Sequence, residues 1–119
     1  MKKIEAIIRK TKFDEVKEAL TEAGIDFFSF WEMRGVGQAR QERAYRGVVY
    51  DTSTIERIMI SIIVRDKNVD KTAKAIMEAG RTGEIGDGKI FVEPIEQAYR
   101  IRTGETGNDA LYIKGTEPD

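Results

Sequence analysis

The chain contains no cysteine and no histidine, and these two absences exclude most familiar enzyme chemistry. Without cysteine there is no disulfide and no thiolate nucleophile. Without either residue, zinc sites of the usual kind and every His-dependent triad are ruled out. No apolar run is long enough to span a bilayer. The opening Met-Lys-Lys-Ile-Glu lacks the apolar centre of a signal peptide, so a cytoplasmic protein is expected. Neither sign of charge dominates: 20 basic and 21 acidic residues are interspersed, for a net charge of −1. No sustained basic groove follows, which disfavours general nucleic-acid binding. A length of 119 residues suits one ordinary domain, 1–119.

The most informative stretch that is present runs from Arg81 to Val92, Arg-Thr-Gly-Glu-Ile-Gly-Asp-Gly-Lys-Ile-Phe-Val. Gly83, Gly86 and Gly88 can take backbone conformations closed to residues with a Cβ, so successive N–H groups can converge on an anion. Lys89 adds a mobile point charge. Further on, Arg100 and Arg102 bracket Ile101 on what reads as a strand, which would send both guanidinium groups from one face. Two forks and an ammonium suit a polyphosphate. The alternative is a glycine-rich hairpin followed by a solvated basic strand.

The rest of the chain supplies a frame. Lys3 to Arg9 reads as a first strand. A helix follows, with Thr11 and Asp14 spaced as a capping pair, Phe13, Val16, Leu20 and Ala23 on one stripe, and Gly24 as its end. Phe27 to Arg34 reads as a second strand covered in part on both faces. From Gly35 to Thr54 periodicity is lost, and the polar, arginine-rich segment reads as a long loop, either functional or a disordered insertion. Ile58 to Val64 gives a third strand. Val69, Ala73, Ile76 and Met77 outline a second helix closed by Gly80. Shifting the chain by 56 residues superposes Arg9 on Arg65, Phe13 on Val69, Leu20 on Ile76 and Gly24 on Gly80, an internal repeat of two strand–helix–strand units. A last strand from Lys89, bent near Pro94 and resuming at Gln97 to Ile101, completes βαββαβ. The fold class is α+β: a ferredoxin-like double βαβ with an antiparallel sheet and both helices on one face. The other face would present Trp31, Ile60 and Ile62 as an apolar patch, which points to a closed ring of subunits. The tail from about 106 to 119 is polar and expected to be flexible.

Met-Lys-Lys-Ile-Glu-Ala-Ile-Ile-Arg at the start, Thr82 to Val92, and Arg100-Ile101-Arg102-Thr103-Gly104-Glu105 together resemble the PII signal-transduction proteins, trimeric sensors of nitrogen, carbon and energy status. The resemblance covers nearly the whole chain. It implies a homotrimer with ATP or ADP in each cleft between subunits, and a T-loop, here about 36–55, that grips an ammonium transporter or a nitrogen-metabolism enzyme. Any membrane association would come only through a transporter partner. Carried over by position, Gly86, Asp87, Gly88 and Lys89 would surround the phosphates, with Arg100 and Arg102 assisting from a neighbouring subunit. Gly35, Val36, Gly37 and Gln38 would form the opposite wall, and Ser29 and Ile63 would flank the adenine.

For 2-oxoglutarate, the resemblance implicates Gln38, Arg57 and Lys89, with Arg57 standing where the family has a lysine. The loop departs from the family's Gly-x-Gly-Arg-Gln-Lys-Gly: here Gly37 is followed by Gln38-Ala39-Arg40-Gln41. Either Gln38 or Gln41 stands in for the glutamine that holds Mg²⁺ beside ATP. Tyr50 matches a tyrosine that some members uridylylate; otherwise it packs the loop or touches a partner. Two other readings remain, a sensor of adenine nucleotides with another small anion such as bicarbonate, serving carbon uptake, and a slow ATPase. With no evident general base, a non-enzymatic role is expected.

Overall fold

A computed structural model of the chain describes residues 1–36, 42–45, 48–51 and 54–112. Alternation in Lys-Lys-Ile-Glu-Ala-Ile-Ile-Arg produces strand β1 (Lys2–Arg9), with Ile4, Ala6 and Ile8 buried and Lys3, Glu5, Ile7 and Arg9 on the other face. A 3-10 helix (Lys10–Lys12) leads into α1 (Phe13–Glu22), which buries Val16 and Leu20. The Thr11–Asp14 capping pair does not form. The helix is entered directly from the 3-10 turn, where Phe13 donates its N–H to the Lys10 carbonyl, and the N-cap position falls to Lys12. Asp14 instead sits in the first turn, where a negative charge complements the helix dipole. Gly24, at φ 83°, ends the helical run.

Strand β2 (Ser29–Val36) starts two residues later than the aromatic run indicated, and β5 (Thr54–Val64) starts four residues earlier than Ile58. The two pair out to Val36↔Thr54. Between them, β3 (Glu42–Tyr45) and β4 (Val48–Asp51) pair with each other as a separate two-stranded sheet. The segment read as an irregular loop from Gly35 to Thr54 therefore contains a hairpin. Strands that pair only with each other need no apolar face turned to the main sheet, so Glu-Arg-Ala-Tyr shows no alternation to detect.

A second 3-10 helix (Asp66–Asn68) and α2 (Val69–Gly80) repeat the first unit at the expected offset. Even the N-cap backbones agree, with φ −101° at Lys12 and −102° at Asn68. The repeat fails at the helix ends. Gly80 is the last helical residue rather than a left-handed stop. A Cβ there would lie 3.6 Å from Val16, so a small residue lets α2 approach α1 closely. Thr72, Ile76 and Gly80 form the buried stripe, while Met77, expected on it, is half exposed.

Strand β6 (Lys89–Pro94) completes an antiparallel sheet in the order β2-β5-β1-β6. Register partners Ile4↔Ile62 and Ala6↔Ile60 place Ile60 and Ile62 against the helices, in the core rather than on the bare face. That face instead carries Trp31, 47% exposed, with Met33, Met59, Ile63 and Phe91 among charged neighbours. No strand forms over Gln97–Ile101. Tyr99 makes a single bridge to Thr106, and the chain reverses between them through Gly104 at φ 74°. The Arg100 N–H donates to the Glu105 carbonyl, and the Gly104 N–H donates to the Arg100 carbonyl. Arg100 and Arg102 therefore lie on a turn, not on one face of a strand. The tail expected to be flexible from 106 holds a 3-10 helix at Gly107–Ala110, and its end, 113–119, lies outside the described residues.

Candidate functional site

Residues 81–88 connect α2 to β6, and one side chain organises them. The Asp87 carboxylate accepts hydrogen bonds from the backbone N–H groups of Thr82 and Gly83, both at 2.9 Å, and from the Thr82 hydroxyl and Arg9 Nε. Burial alone would raise its pKa, but these donors outweigh it, the Thr82 hydroxyl foremost, and hold the carboxyl well below the usual carboxylate range. Asp87, expected among the phosphate contacts, thus has its oxygens committed to the loop itself.

Two arginines support the same loop from the sheet. Arg9 and Arg57 are register partners on β1 and β5. Arg9 donates to the Ile85 carbonyl at 3.2 Å and Arg57 to the Gly86 carbonyl at 2.9 Å. Arg57 is only 8% exposed. Desolvation, and then the nearby charge of Arg9, lower its pKa from the ordinary arginine value. Gly86 and Gly88 adopt φ 104° and 102°, conformations that side chains with a Cβ rarely enter. The Lys89 side chain is exposed and makes no hydrogen bond or ion pair among the described residues. A hollow of about 330 Å³ beside the loop is lined by Ile7, Met77, Arg81, Gly88 and Lys89, among others.

A larger cavity of about 640 Å³ lies elsewhere, lined by Ile25, Phe28, Ser29, Ser61, Ile63, Arg100, Leu111 and Tyr112, among others. Ser29 and Ser61 are register partners and offer two hydroxyls on a largely apolar lining that also includes Asp26 and Arg100. The expected site residues consequently divide. Ser29, Ile63 and Arg100 meet at the cavity. Gly86, Asp87, Gly88, Lys89 and Arg57 meet at the loop, with Gly35 on the same sheet face as Arg57. From the register, Ser29 and Lys89 are separated by three strand spacings and two residues of rise, roughly 16 Å.

Val36 is exposed at the end of β2, and Arg102 is exposed on its turn. Gly37, Gln38 and Gln41 lie outside the described residues, and with them the assignment of Mg²⁺ to Gln38. Among the described residues, no three acidic side chains converge as a metal site. The backbone of Tyr50 lies in β4 opposite Arg43.

Arg9, Thr82 and Ser61 were not singled out from sequence. Arg9 stands at an outward position of β1, which was legible, but its partner lies 78 residues away and depends on the β1–β6 pairing. Asp87 also supplies a test in acid. A carboxyl with a depressed folded-state pKa stabilises the fold above its unfolded value, about 3.9. That contribution is lost as pH falls below it toward the folded value. Denaturant unfolding of wild type and Asp87→Asn should differ most near pH 7 and converge toward pH 2. A gap that stays constant over that range would remove the carboxylate from this role.

Residues 1–105 match the family model "Nitrogen regulatory protein P-II". Curated relatives bearing that name match over 112 residues, 93% of this chain and 100% of their own length. The relative from Rhodobacter capsulatus is 52% identical, and those from Cereibacter sphaeroides and Nostoc punctiforme are each 49% identical. At that identity, over the full length of those relatives and with the family model matching 1–105, the chain belongs to the nitrogen regulatory protein P-II family.

Proposed function

We propose that this protein is a trimeric sensor of ATP and ADP, with 2-oxoglutarate as a further effector, that regulates nitrogen metabolism by presenting the segment about 36–55 to an ammonium transporter or a metabolic enzyme. The observation that carries this reading is the division of the site. A glycine loop followed by a lysine with no partner among the described residues, and a largely apolar cavity bearing two serine hydroxyls, lie apart on one chain, with Ser29 and Lys89 roughly 16 Å from each other. A neighbouring copy that brings its cavity against this loop would complete one nucleotide site per junction.

The donor chemistry fits such a ligand. Backbone N–H groups near Gly86 and Gly88, with Lys89, suit a polyphosphate. Isoleucine, phenylalanine and paired serine hydroxyls suit a flat base with polar edges. The half-exposed Trp31 and Phe91 on the uncovered sheet face would be buried in the ring. The hairpin strands β3 and β4 lie between β2 and β5 in the chain, so a ligand near Gly35 would bias the hairpin that a partner reads. The role is regulatory rather than enzymatic, in a soluble, cytoplasmic protein.

Light scattering should give the mass of three chains. Calorimetry should show ATP binding that tightens when Mg²⁺ and 2-oxoglutarate are added together. Lys89→Ala should weaken ATP by about 10–100-fold, the worth of one charge-assisted contact. A monomer indifferent to adenosine phosphates would refute the reading. ATP affinity unchanged by 2-oxoglutarate would refute the nitrogen-sensing part and favour another small anion.

A further inference from the structure

The hairpin leaves the body of the protein on a two-stranded root. Strand β1 ends at Arg9, opposite Arg57 of β5. Beyond that row β5 is paired with β2 alone, through Arg34↔Glu56, Gly35↔Ile55 and Val36↔Thr54. Two strands by themselves hold a direction poorly, so side-chain contacts with the body decide where the root points. One such contact, from Arg57 to the Gly86 carbonyl, lies on the face that carries the glycine loop. The opposite face, on the side of the helices, carries Glu32, Arg34 and Glu56 in line with the buried Ile58. There the Lys10 ammonium lies 3.0 Å from the Glu32 carboxylate and 3.5 Å from that of Glu56. Arg34 approaches Glu56 to 4.0 Å. Lys10 opens the 3-10 turn that joins β1 to α1, and just past that turn the Phe13 ring packs on Phe30 of β2, with centroids 4.5 Å apart.

We propose that Lys10 is a clamp on the root of the hairpin, an ionic contact on the helix-side face that ties β2 and β5 to the corner between β1 and α1 and biases the direction in which the hairpin leaves the sheet. The charge count explains why one lysine matters. Glu32 and Glu56 sit on one face of the same ribbon, on neighbouring rows of different strands, where two carboxylates repel. Lys10 offsets that repulsion and anchors both strands to a turn fixed by the end of β1. Each exposed ion pair is weak. Weak contacts suffice where the competing arrangements are close in free energy, as for a root held by a single backbone ladder. The clamp and Arg57 grip opposite faces, so whatever draws the root toward the glycine loop works against Lys10, and ionic strength acts on the hairpin through it. The clamp stands on the fold alone, whichever ligand the glycine loop takes.

Amide exchange on the full chain tests the clamp. Lys10→Gln should speed exchange about two- to fivefold over 33–36 and 54–56, the worth of a weak exposed pair, and leave 82–88 and the centre of the β1–β5 ladder as in wild type. Lys10→Glu should act on the same residues more strongly, and Lys10→Arg should keep their protection. In a background carrying Glu32→Gln and Glu56→Gln, Lys10→Gln should add nothing. Salt at about 1 M should bring wild type to the Lys10→Gln rates and barely change that variant. Unaltered exchange over 33–36 and 54–56 in Lys10→Glu, or an effect of Lys10→Gln that persists in the doubly neutral background, would overturn the clamp. Faster exchange along the whole of β1 and β5 would also overturn it, by making Lys10 a support of the sheet rather than of the hairpin root. None of these results bears on nucleotide binding, which calorimetry with ATP reads separately.

Discussion

Gly88→Ala should destabilise the protein by about 4 kcal/mol and abolish the nucleotide binding proposed for residues 81–89. An added Cβ would stand 1.7 Å from the Ile7 carbonyl oxygen and 2.8 Å from its carbon. Neither atom can yield by rotating a side chain. Both belong to β1, whose ladder with β6 includes the Ile7↔Lys89 pair immediately beside Gly88. Relief requires the strands to part or the loop to move, and either would misplace Lys89. The backbone adds a second cost, because φ is +102°. Gly83→Ala is the matched control. Its φ is +89° but nothing lies within 4 Å of the added carbon, so only the dihedral cost of about 1–2 kcal/mol applies. Chemical unfolding of both variants at one protein concentration reads the difference. Equal losses would mean that conformation, not the approach to β1, makes Gly88 a glycine.

Arg57→Ala should cost about 2–3 kcal/mol and loosen the loop without displacing the sheet. The guanidinium is nearly buried and donates to the Gly86 carbonyl, so truncation leaves an acceptor without its donor and removes the packing of a long side chain. One effect opposes this. Arg9 is close enough to disfavour the charge on Arg57, and removing Arg57 relieves that repulsion. Asp87 already screens the pair by bonding Arg9, so the relief is the smaller contribution. Amide exchange localises the result: protection should fall over 82–88 and persist along β1 and β5. Unchanged exchange in the loop would show that Arg57 does not hold it, and would restore Arg57 as a contact reserved for a carboxylate ligand.

Much of this architecture was legible from residue patterns, because alternation and helical stripes report burial. The offset between the two halves carried real geometry, down to matching 3-10 turns before each helix. What escaped was whatever burial does not select. The hairpin from Glu42 to Asp51 pairs with itself. The turn at Arg100–Gly104 is fixed by backbone bonds and one ion pair, although Arg-Ile-Arg reads as a strand. The face assignment of Ile60 and Ile62 depended on register, which a continuous apolar run in β5 does not disclose. Within the candidate site, the glycines and Lys89 could be found from sequence. The support from Arg9 and the committed carboxylate of Asp87 could not, since both depend on contacts between distant segments.

Strand β5 carries more than its share of this molecule. Its eleven residues bear Thr54, where the hairpin departs, Arg57 under the glycine loop, and Ser61 and Ile63 in the cavity, and it is hydrogen-bonded on both sides. Inserting or deleting one residue within it would exchange inward and outward side chains along the remainder, and all three functions would be lost in one step. An insertion this fold tolerates therefore has to fall beyond the ends of that strand, and the segment between Val36 and Thr54, which already carries its own hairpin, is one place where the chain can lengthen without disturbing the sheet.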